Sequence, residues 1–125
     1  MKFTRRFTKK GESVFDNVEW TERTSKITNA DGSLVFEMNN AEVPADWSQL
    51  ATDIVVSKYF RKAGVPQTGE HGEPMLDEAG APVTGPENSV KQIVNRLAGC
   101  WRDWGMKQDY FASEEDAEAF YDELC

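Results

Sequence analysis

Four of the chain's five prolines and five of its nine glycines lie between Gly64 and Pro86. Proline removes a backbone donor and fixes φ, and glycine disperses the backbone over conformations a helix does not use. No regular helix can run through this window. It divides the chain into a front part, 1–63, and a back part, 88–125. A loop of this length is commonly functional or mobile; here residues 64–87 are expected to form a peripheral excursion. Within it, Pro74 to Val83 reads as a small exposed hairpin turning at Asp77–Gly80.

The front part reads as an arm, a hairpin and a helix. Residues 1–17 show no period and are expected to form an extended arm. Phe3 and Phe7 would each fill a pocket while the basic residues between them face solvent or an anion. Residues 18–43 read as a β-hairpin. Val18–Thr28 is rich in strand formers, Leu34–Met38 is a second apolar run, and Asn29-Ala30-Asp31-Gly32-Ser33 supplies turn chemistry between them. The alternation through Val18, Trp20 and Ile27 is imperfect, so pairing is better specified than register. Pro44 closes the strand. A helix is then expected over 46–63, capped by Asp46 or Ser48, with Trp47, Leu50, Ala51, Ile54, Val55 and Tyr59 as its apolar stripe. Arg61 and Lys62 suit its last turn, Gly64 its C′ position, and Pro66 prevents continuation.

The back part reads as two helices. Over 89–104, Val90, Ile93, Val94, Leu97, Ala98 and Trp101 recur at helical spacing. Pro86 with Asn88 or Ser89 marks the start and Gly105 the end. Gly99 inside it costs roughly 1 kcal/mol against Ala, so it is expected to serve a close contact. Over 113–125, Ser113 can cap, and Glu114, Glu115 and Asp116 sit at the positive end of the helix dipole. Ala117, Phe120, Tyr121, Leu124 and Cys125 form a stripe with no closing Gly, Asn or basic residue. That open face calls for covering by further chain or by another chain. The fold class is α+β: arm, β-hairpin and about three α-helices.

Charge narrows the function. The formal net charge is -8, which argues against a nucleic-acid coat or a membrane-surface protein. The distribution is uneven. Lys2, Arg5, Arg6, Lys9 and Lys10 crowd the first ten residues, whereas the stretch from Asp109 to Cys125 is acidic throughout and has no Lys or Arg. The two ends are therefore expected to meet oppositely charged surfaces, each other among them. No run of 18 apolar residues occurs and no apolar h-region follows the basic start. Two cysteines, Cys100 and Cys125, make no disulfide framework, and a cytoplasmic protein with reduced thiols is the simplest reading.

No catalytic constellation is visible. His71 is the sole histidine; beside Glu70 and Glu73 it reads as loop polarity, because metal and catalytic sites need several convergent groups. Cys100 reads as a small buried apolar residue and Cys125 as a packing residue. The Glu114–Asp116 cluster is explained by the helix dipole without a metal. No GxxxxGK[ST] and no GxGxxG after a strand is present. Arg5 and Arg6 remain as candidate contacts to a nucleotide phosphate, to another subunit or to solvent alone. On these grounds alone the chain is an α+β module without a catalytic site, and a stand-alone acidic interaction module is one reading of it.

A set of stretches adds to this. They are Phe3-Thr4-Arg5-Arg6-Phe7-Thr8, Arg23-Thr24-Ser25-Lys26-Ile27, and Asn29 to Phe36. They continue through Glu42-Val43-Pro44, Trp47-Ser48-Gln49, Ala51-Thr52-Asp53-Ile54 and Lys58 to Pro66. Ser89-Val90-Lys91-Gln92, Arg96 to Trp101, Trp104-Gly105, Tyr110-Phe111, Ser113 to Ala117 and Phe120 to Leu124 complete them. In this order they resemble the N-terminal domain of bacterial class II, vitamin B12-dependent ribonucleotide reductases, over nearly the whole chain except about 67–86. The resemblance implies reduction of ribonucleotides to deoxyribonucleotides, with a diphosphate as substrate and a triphosphate left open. Adenosylcobalamin would generate a radical that passes to a cysteine of a ten-stranded α/β-barrel. The implied partners are the remainder of the reductase polypeptide or a second, split subunit, with the complete enzyme a dimer. The family's substrate-binding Asn-Ser-Pro stretch, its Asn-Pro-Cys-Ser-Glu stretch and its C-terminal cysteines have no counterpart here. Neither Cys100 nor Cys125 matches them, so no catalytic residue is assigned.

Overall fold

The computed structural model describes residues 1–125. Its elements are β1 (Trp20–Thr28), β2 (Leu34–Pro44), α1 (Gln49–Ile54) continued by a π-helical turn (Val55–Tyr59), β3 (Val65–Pro66), β4 (Thr84–Gly85), α2 (Val90–Lys107) and α3 (Glu114–Leu124). The fold is α+β, with two small antiparallel sheets, β1–β2 and β3–β4, beside the helices.

The hairpin turns where Asn29–Ser33 supplies turn chemistry. Asp31 Oδ1 accepts from the Ser33 backbone N–H at 2.9 Å and from its hydroxyl at 2.6 Å, and Gly32 takes the positive φ of 85°. Two register shifts explain the imperfect alternation. Arg23 pairs with Ala41 and Ser25 with Met38, so Asn39 and Asn40 together face Thr24. This bulge changes which parity of β2 points inward: Phe36 and Met38 before it, Ala41 and Val43 after it. Without it, one end of the strand would turn its apolar side chains to water.

The inward face of β1 is largely polar, and this rotates α1. Ser25 is fully buried and donates to Asp53 Oδ1 at 2.8 Å. Arg23 donates to the carbonyls of Ala45, at 3.0 Å, and Trp47. These bonds draw Thr52 and Asp53 toward the sheet. The buried face of the segment is thus Thr52, Val55, Val56 and Phe60. The expected stripe through Leu50, Ile54 and Tyr59 is corrected: these three are exposed. Ser48, rather than Asp46, is the N-cap, accepting from the Ala51 N–H at 3.1 Å.

The helix expected over 46–63 is also shorter. Regular α-helix ends at Ile54, and one wide turn closes with the Phe60 N–H donating to the Val55 carbonyl at 3.0 Å. The next donor, the Arg61 N–H, goes to Glu87 Oε2 at 2.8 Å. Arg61 and Lys62 therefore lie beyond the helix. Gly64 has a φ of 77° but serves the turn into β3 rather than a helix cap.

Glu87 is 2% exposed and also accepts from Arg96 Nε of α2 at 2.8 Å. Its own N–H donates to the Arg61 carbonyl at 2.9 Å. Both feet of the 64–87 excursion are so bound to one another. The excursion is a ribbon that forks where Gln67 N–H donates to Val83 O at 2.8 Å, Val83 N–H to Met75 O at 2.9 Å and Met75 N–H to Gln67 O at 3.0 Å, giving an inner turn at Gly69–Gly72 and an outer one. Its tip turns at Asp77–Gly80, where Asp77 Oδ1 accepts from the Ala79 and Ala81 N–H groups, each at 2.9 Å.

The core is small: Ala41, Val43, Val55, Val56, Phe60, Val90 and Ile93, with Trp20, Phe36, Met38, Trp47 and Val94 packed around it. Helix α2 enters through a capping box, Ser89 with Gln92. Its first turns cover β2 and the π-helical turn; its flank carries α3. Gly105 lies inside α2, not at its end, because Phe111 folds back over it. An added Cβ there would sit 2.4 Å from Phe111 Cε2. The helix ends instead at Lys107, with Gln108 as its C-cap, and Asp109 just beyond takes a positive φ of 52°. Gly99 serves no close contact, since the nearest atom to an added Cβ is Asn95 Oδ1 at 3.8 Å.

The two helical glycines therefore respond oppositely to one methyl. Gly105→Ala drives a backbone-anchored carbon into an aromatic ring and should cost about 1–3 kcal/mol. Gly99→Ala should gain about 0.5–1 kcal/mol by restoring helix propensity. Thermal unfolding of both variants checks this, and a Gly105→Ala protein as stable as Gly99→Ala would contradict the packing.

Candidate functional site

The two oppositely charged ends of the chain meet. The arm lies along α3, and the carboxylates of that helix hold its backbone. Asp116 Oδ1 accepts from the Phe3 N–H at 2.8 Å. Glu123 accepts from the Phe7 N–H at 3.1 Å, the Thr8 N–H at 2.8 Å and the Thr8 hydroxyl at 2.6 Å. Arg5 pairs with Asp122 at 2.5 Å and donates to the Thr8 hydroxyl at 3.0 Å. Lys10 reaches Glu115 at 2.9 Å, an exposed pair that adds little. Under the polar bonds, Phe3, Phe111 and Phe120 form an aromatic triad with centroids 5.2–5.9 Å apart.

These contacts revise the arm. Phe3 fills a pocket as expected, but Phe7 is 89% exposed. Arg5 is half-buried against its carboxylate, while Arg6 is exposed and makes no ion pair. The acids Glu115 and Asp116 do more than complement the helix dipole, since they also bind the arm. The opposite signs of the two ends were the signal for this seam. Covering of the α3 stripe is partial: Phe120 and Tyr121 are half-buried, and Leu124 is exposed.

Bonding shifts the titration of these groups. The Thr8 hydroxyl, aided by the Arg6, Thr8 and Phe7 backbone N–H groups, outweighs desolvation and takes the Glu123 carboxyl down to about 2. The Phe3 N–H and the Ser113 hydroxyl lower Asp116. Burial pushes the Tyr121 phenol up to about 12; it donates to Asn95 Oδ1 at 2.7 Å, and Arg102 stacks 4.8 Å over its ring. For Glu87, burial alone would raise the carboxyl, but the bonds from Arg96 and the Arg61 N–H hold it below its ordinary value.

The remaining candidates stay apart. His71 is exposed at the excursion's inner turn, where its backbone N–H donates to Glu73 Oε2 at 3.0 Å. Cys100 is exposed rather than buried: it lies beside the half of the α2 stripe, at Leu97, Trp101 and Trp104, that is itself exposed. Cys125 is exposed as well, and partial desolvation pushes its thiol up, toward the less reactive protonated form. No three His, Cys, Asp or Glu side chains converge as metal ligands. No helix is long and apolar enough to cross a membrane.

One cleft, of about 490 Å³, opens between the hairpin, the excursion and the start of α2. Its walls include Glu22, Glu42, Glu70, Asn40, Asn88 and Gln92, and no hydrophobic side chain. Such a wall repels phosphate and offers nothing to the apolar body of a large cofactor. Part of its lining is structural, since Glu42 accepts from the Ser89 hydroxyl at 2.5 Å and Lys91 at 3.1 Å.

Comparison with known proteins gives one consistent result. A family model described as class II vitamin B12-dependent ribonucleotide reductase matches residues 21–125. The vitamin B12-dependent ribonucleotide reductase of Bradyrhizobium diazoefficiens is 44% identical over 140 residues, covering 99% of this chain and 11% of the relative. That of Agrobacterium fabrum is 44% identical over 141 residues, covering 100% and 11%. That of Rhodopirellula baltica is 38% identical over 115 residues, covering 91% and 9%. The chain spans about a tenth of the length of these relatives.

The seam should open in acid. Glu123 titrates at about 2 in the folded chain against an ordinary 4.5. Its contribution is whole above the higher value and is lost as pH falls through the lower one. Hydrogen exchange at the Phe7 and Thr8 amides should therefore accelerate, relative to its intrinsic rate, as pH falls from about 4.5 toward 2. Glu123→Gln should show that faster exchange already at neutral pH. Phe7 and Thr8 amides that stay as protected in the variant, and in acid, as they are in the unaltered chain at neutral pH would exclude this role for Glu123.

Proposed function

The chain belongs to the class II vitamin B12-dependent ribonucleotide reductases, and from this premise we propose that it is the N-terminal, non-catalytic region of such an enzyme. The observation that carries the reading is the family match over 21–125, together with relatives in which the matched region is about 11% of the length. The complete enzyme would reduce ribonucleotides to deoxyribonucleotides. Adenosylcobalamin would supply the radical chemistry, and a ten-stranded α/β-barrel elsewhere in the polypeptide the radical cysteine. The bound protein's task in such chemistry is to position and to exclude solvent.

This chain's residues do not fit a cobalamin seat. The cleft between the hairpin, the excursion and the start of α2 has no hydrophobic wall, and the equally large one between the arm and α3 has only Phe3 and Ala119, so no contact to the cofactor is assigned to either. Both thiols are exposed, and no base or carboxylate is bonded to Cys100. The role proposed is therefore structural: a cap packed against the start of the barrel, in one polypeptide or as a split subunit, within a dimeric enzyme.

A narrower role is proposed for the arm. Arg6 is the guanidinium free to meet a nucleotide phosphate, because Arg5 is held by Asp122. Arg5 could join it only if that pair opened.

Turnover assays test both levels. The 125-residue chain should not reduce ribonucleotides, whereas the complete polypeptide should do so only with adenosylcobalamin. Full activity of a polypeptide lacking residues 1–125 would remove any essential role. Arg6→Glu in the complete enzyme should weaken nucleotide binding several-fold, and unchanged affinity would end the phosphate assignment.

A further inference from the structure

Helix α2 carries one apolar stripe, of which only the first half is covered. Val90, Ile93, Val94, Leu97, Trp101 and Trp104 fall on one face at 100° per residue. Val90 and Ile93 are buried in the core, and Val94 packs against it. Beyond Val94 the hairpin and the π-helical turn no longer reach. Helix α3 gives no cover either, for it lies on the flank, where Ala98 and Gly105 are buried and Asn95 and Arg102 meet Tyr121. Leu97, Trp101 and Trp104 are left 42%, 47% and 59% exposed. Two indoles in adjacent turns, in line with the core yet outside it, are a surface with a missing partner.

We propose that the Leu97–Trp101–Trp104 face is where this region docks onto the following catalytic body of the same polypeptide. The inference rests on the family reading above. Three observations select this occupant. The relatives carry the matched region and some nine-tenths more chain in one polypeptide. The face offers roughly 300 Å² of apolar surface, taking the area of half-exposed indoles. That falls well short of the ~800 Å² per partner of a stable separate complex, which disfavours a second copy. Covalent continuity removes the shortfall, because an intramolecular partner is present at high effective concentration. Anionic membrane is disfavoured by the chain's net charge of -8. The occupant's own surface must be apolar and must cover the later half of α2, meeting the existing core beside Val94, so that the half-covered stripe continues into one core.

Hydroxyl-radical footprinting read by mass spectrometry tests this on the 125-residue chain and on the complete reductase. Trp101 and Trp104 should be oxidised readily in the chain and several-fold more slowly in the complete enzyme, while Phe7 serves as a reference. In the complete enzyme, Trp101→Ser with Trp104→Ser should release the region to limited proteolysis near its junction with the body. Leu50→Ser, on another exposed face, should not. Equal oxidation of both indoles in the two proteins overturns the docking face. So does protection in the chain alone that grows with concentration, which would identify a second copy. Cobalamin-dependent turnover of the unmodified complete enzyme is measured alongside. Loss of that turnover defeats the family function, whereas intact turnover with unprotected indoles defeats only the docking.

Discussion

Everything in this small fold turns on the buried Glu87 carboxylate. It takes the Arg61 N–H at the end of the front half and the Arg96 guanidinium of α2 in the back half. A carboxylate removed from water is costly unless its lone pairs are occupied. Here both oxygens are, and the bonds cross the gap that the Gly/Pro segment opens. The same residue ends the wide helical turn by capturing its next donor. It also sits just before the Ser89–Gln92 box that starts α2. The direction of the longest helix, and with it the half-covered stripe, follows from that junction.

Local chemistry was legible in the sequence. Ser48, Ser89 and Ser113 each begin a helix by accepting from its first turn, and the turns at Asn29–Ser33 and Asp77–Gly80 lie where Asn, Asp and Gly cluster. The contact between basic arm and acidic helix was foreshadowed by their opposite signs. What stayed hidden depends on partners distant in sequence. The rotation of α1 is set by Arg23 and Ser25, polar residues on the inner face of a strand. The parity change at Asn39–Asn40 has no signature in composition. Gly105 resembles a helix stop and is a seat for a ring supplied by Phe111. Cys100 resembles a buried residue by spacing, but the stripe beside it is itself uncovered.

Function divides along the same line. Polar groups here are spent on holding segments together: Arg23 on loop carbonyls, Glu42 on Ser89 and Lys91, Glu123 on the arm. None is left converging on an empty space beside a nucleophile or an apolar cavity. The chain's family is given by its likeness to the reductases, and its polar side chains serve its own fold.

The 64–87 ribbon has a consequence for variation in chain length. Its feet are tied at Arg61–Glu87 and again at Val65–Gly85, so its tip bears no load from the rest of the fold. For a loop closed at its base, each doubling of length costs only about 0.6 kcal/mol of closure entropy. Homologous chains can therefore gain or shed residues around Asp77–Gly80 while the scaffold beneath keeps its shape, which makes this tip the natural place for lineage-specific ornament.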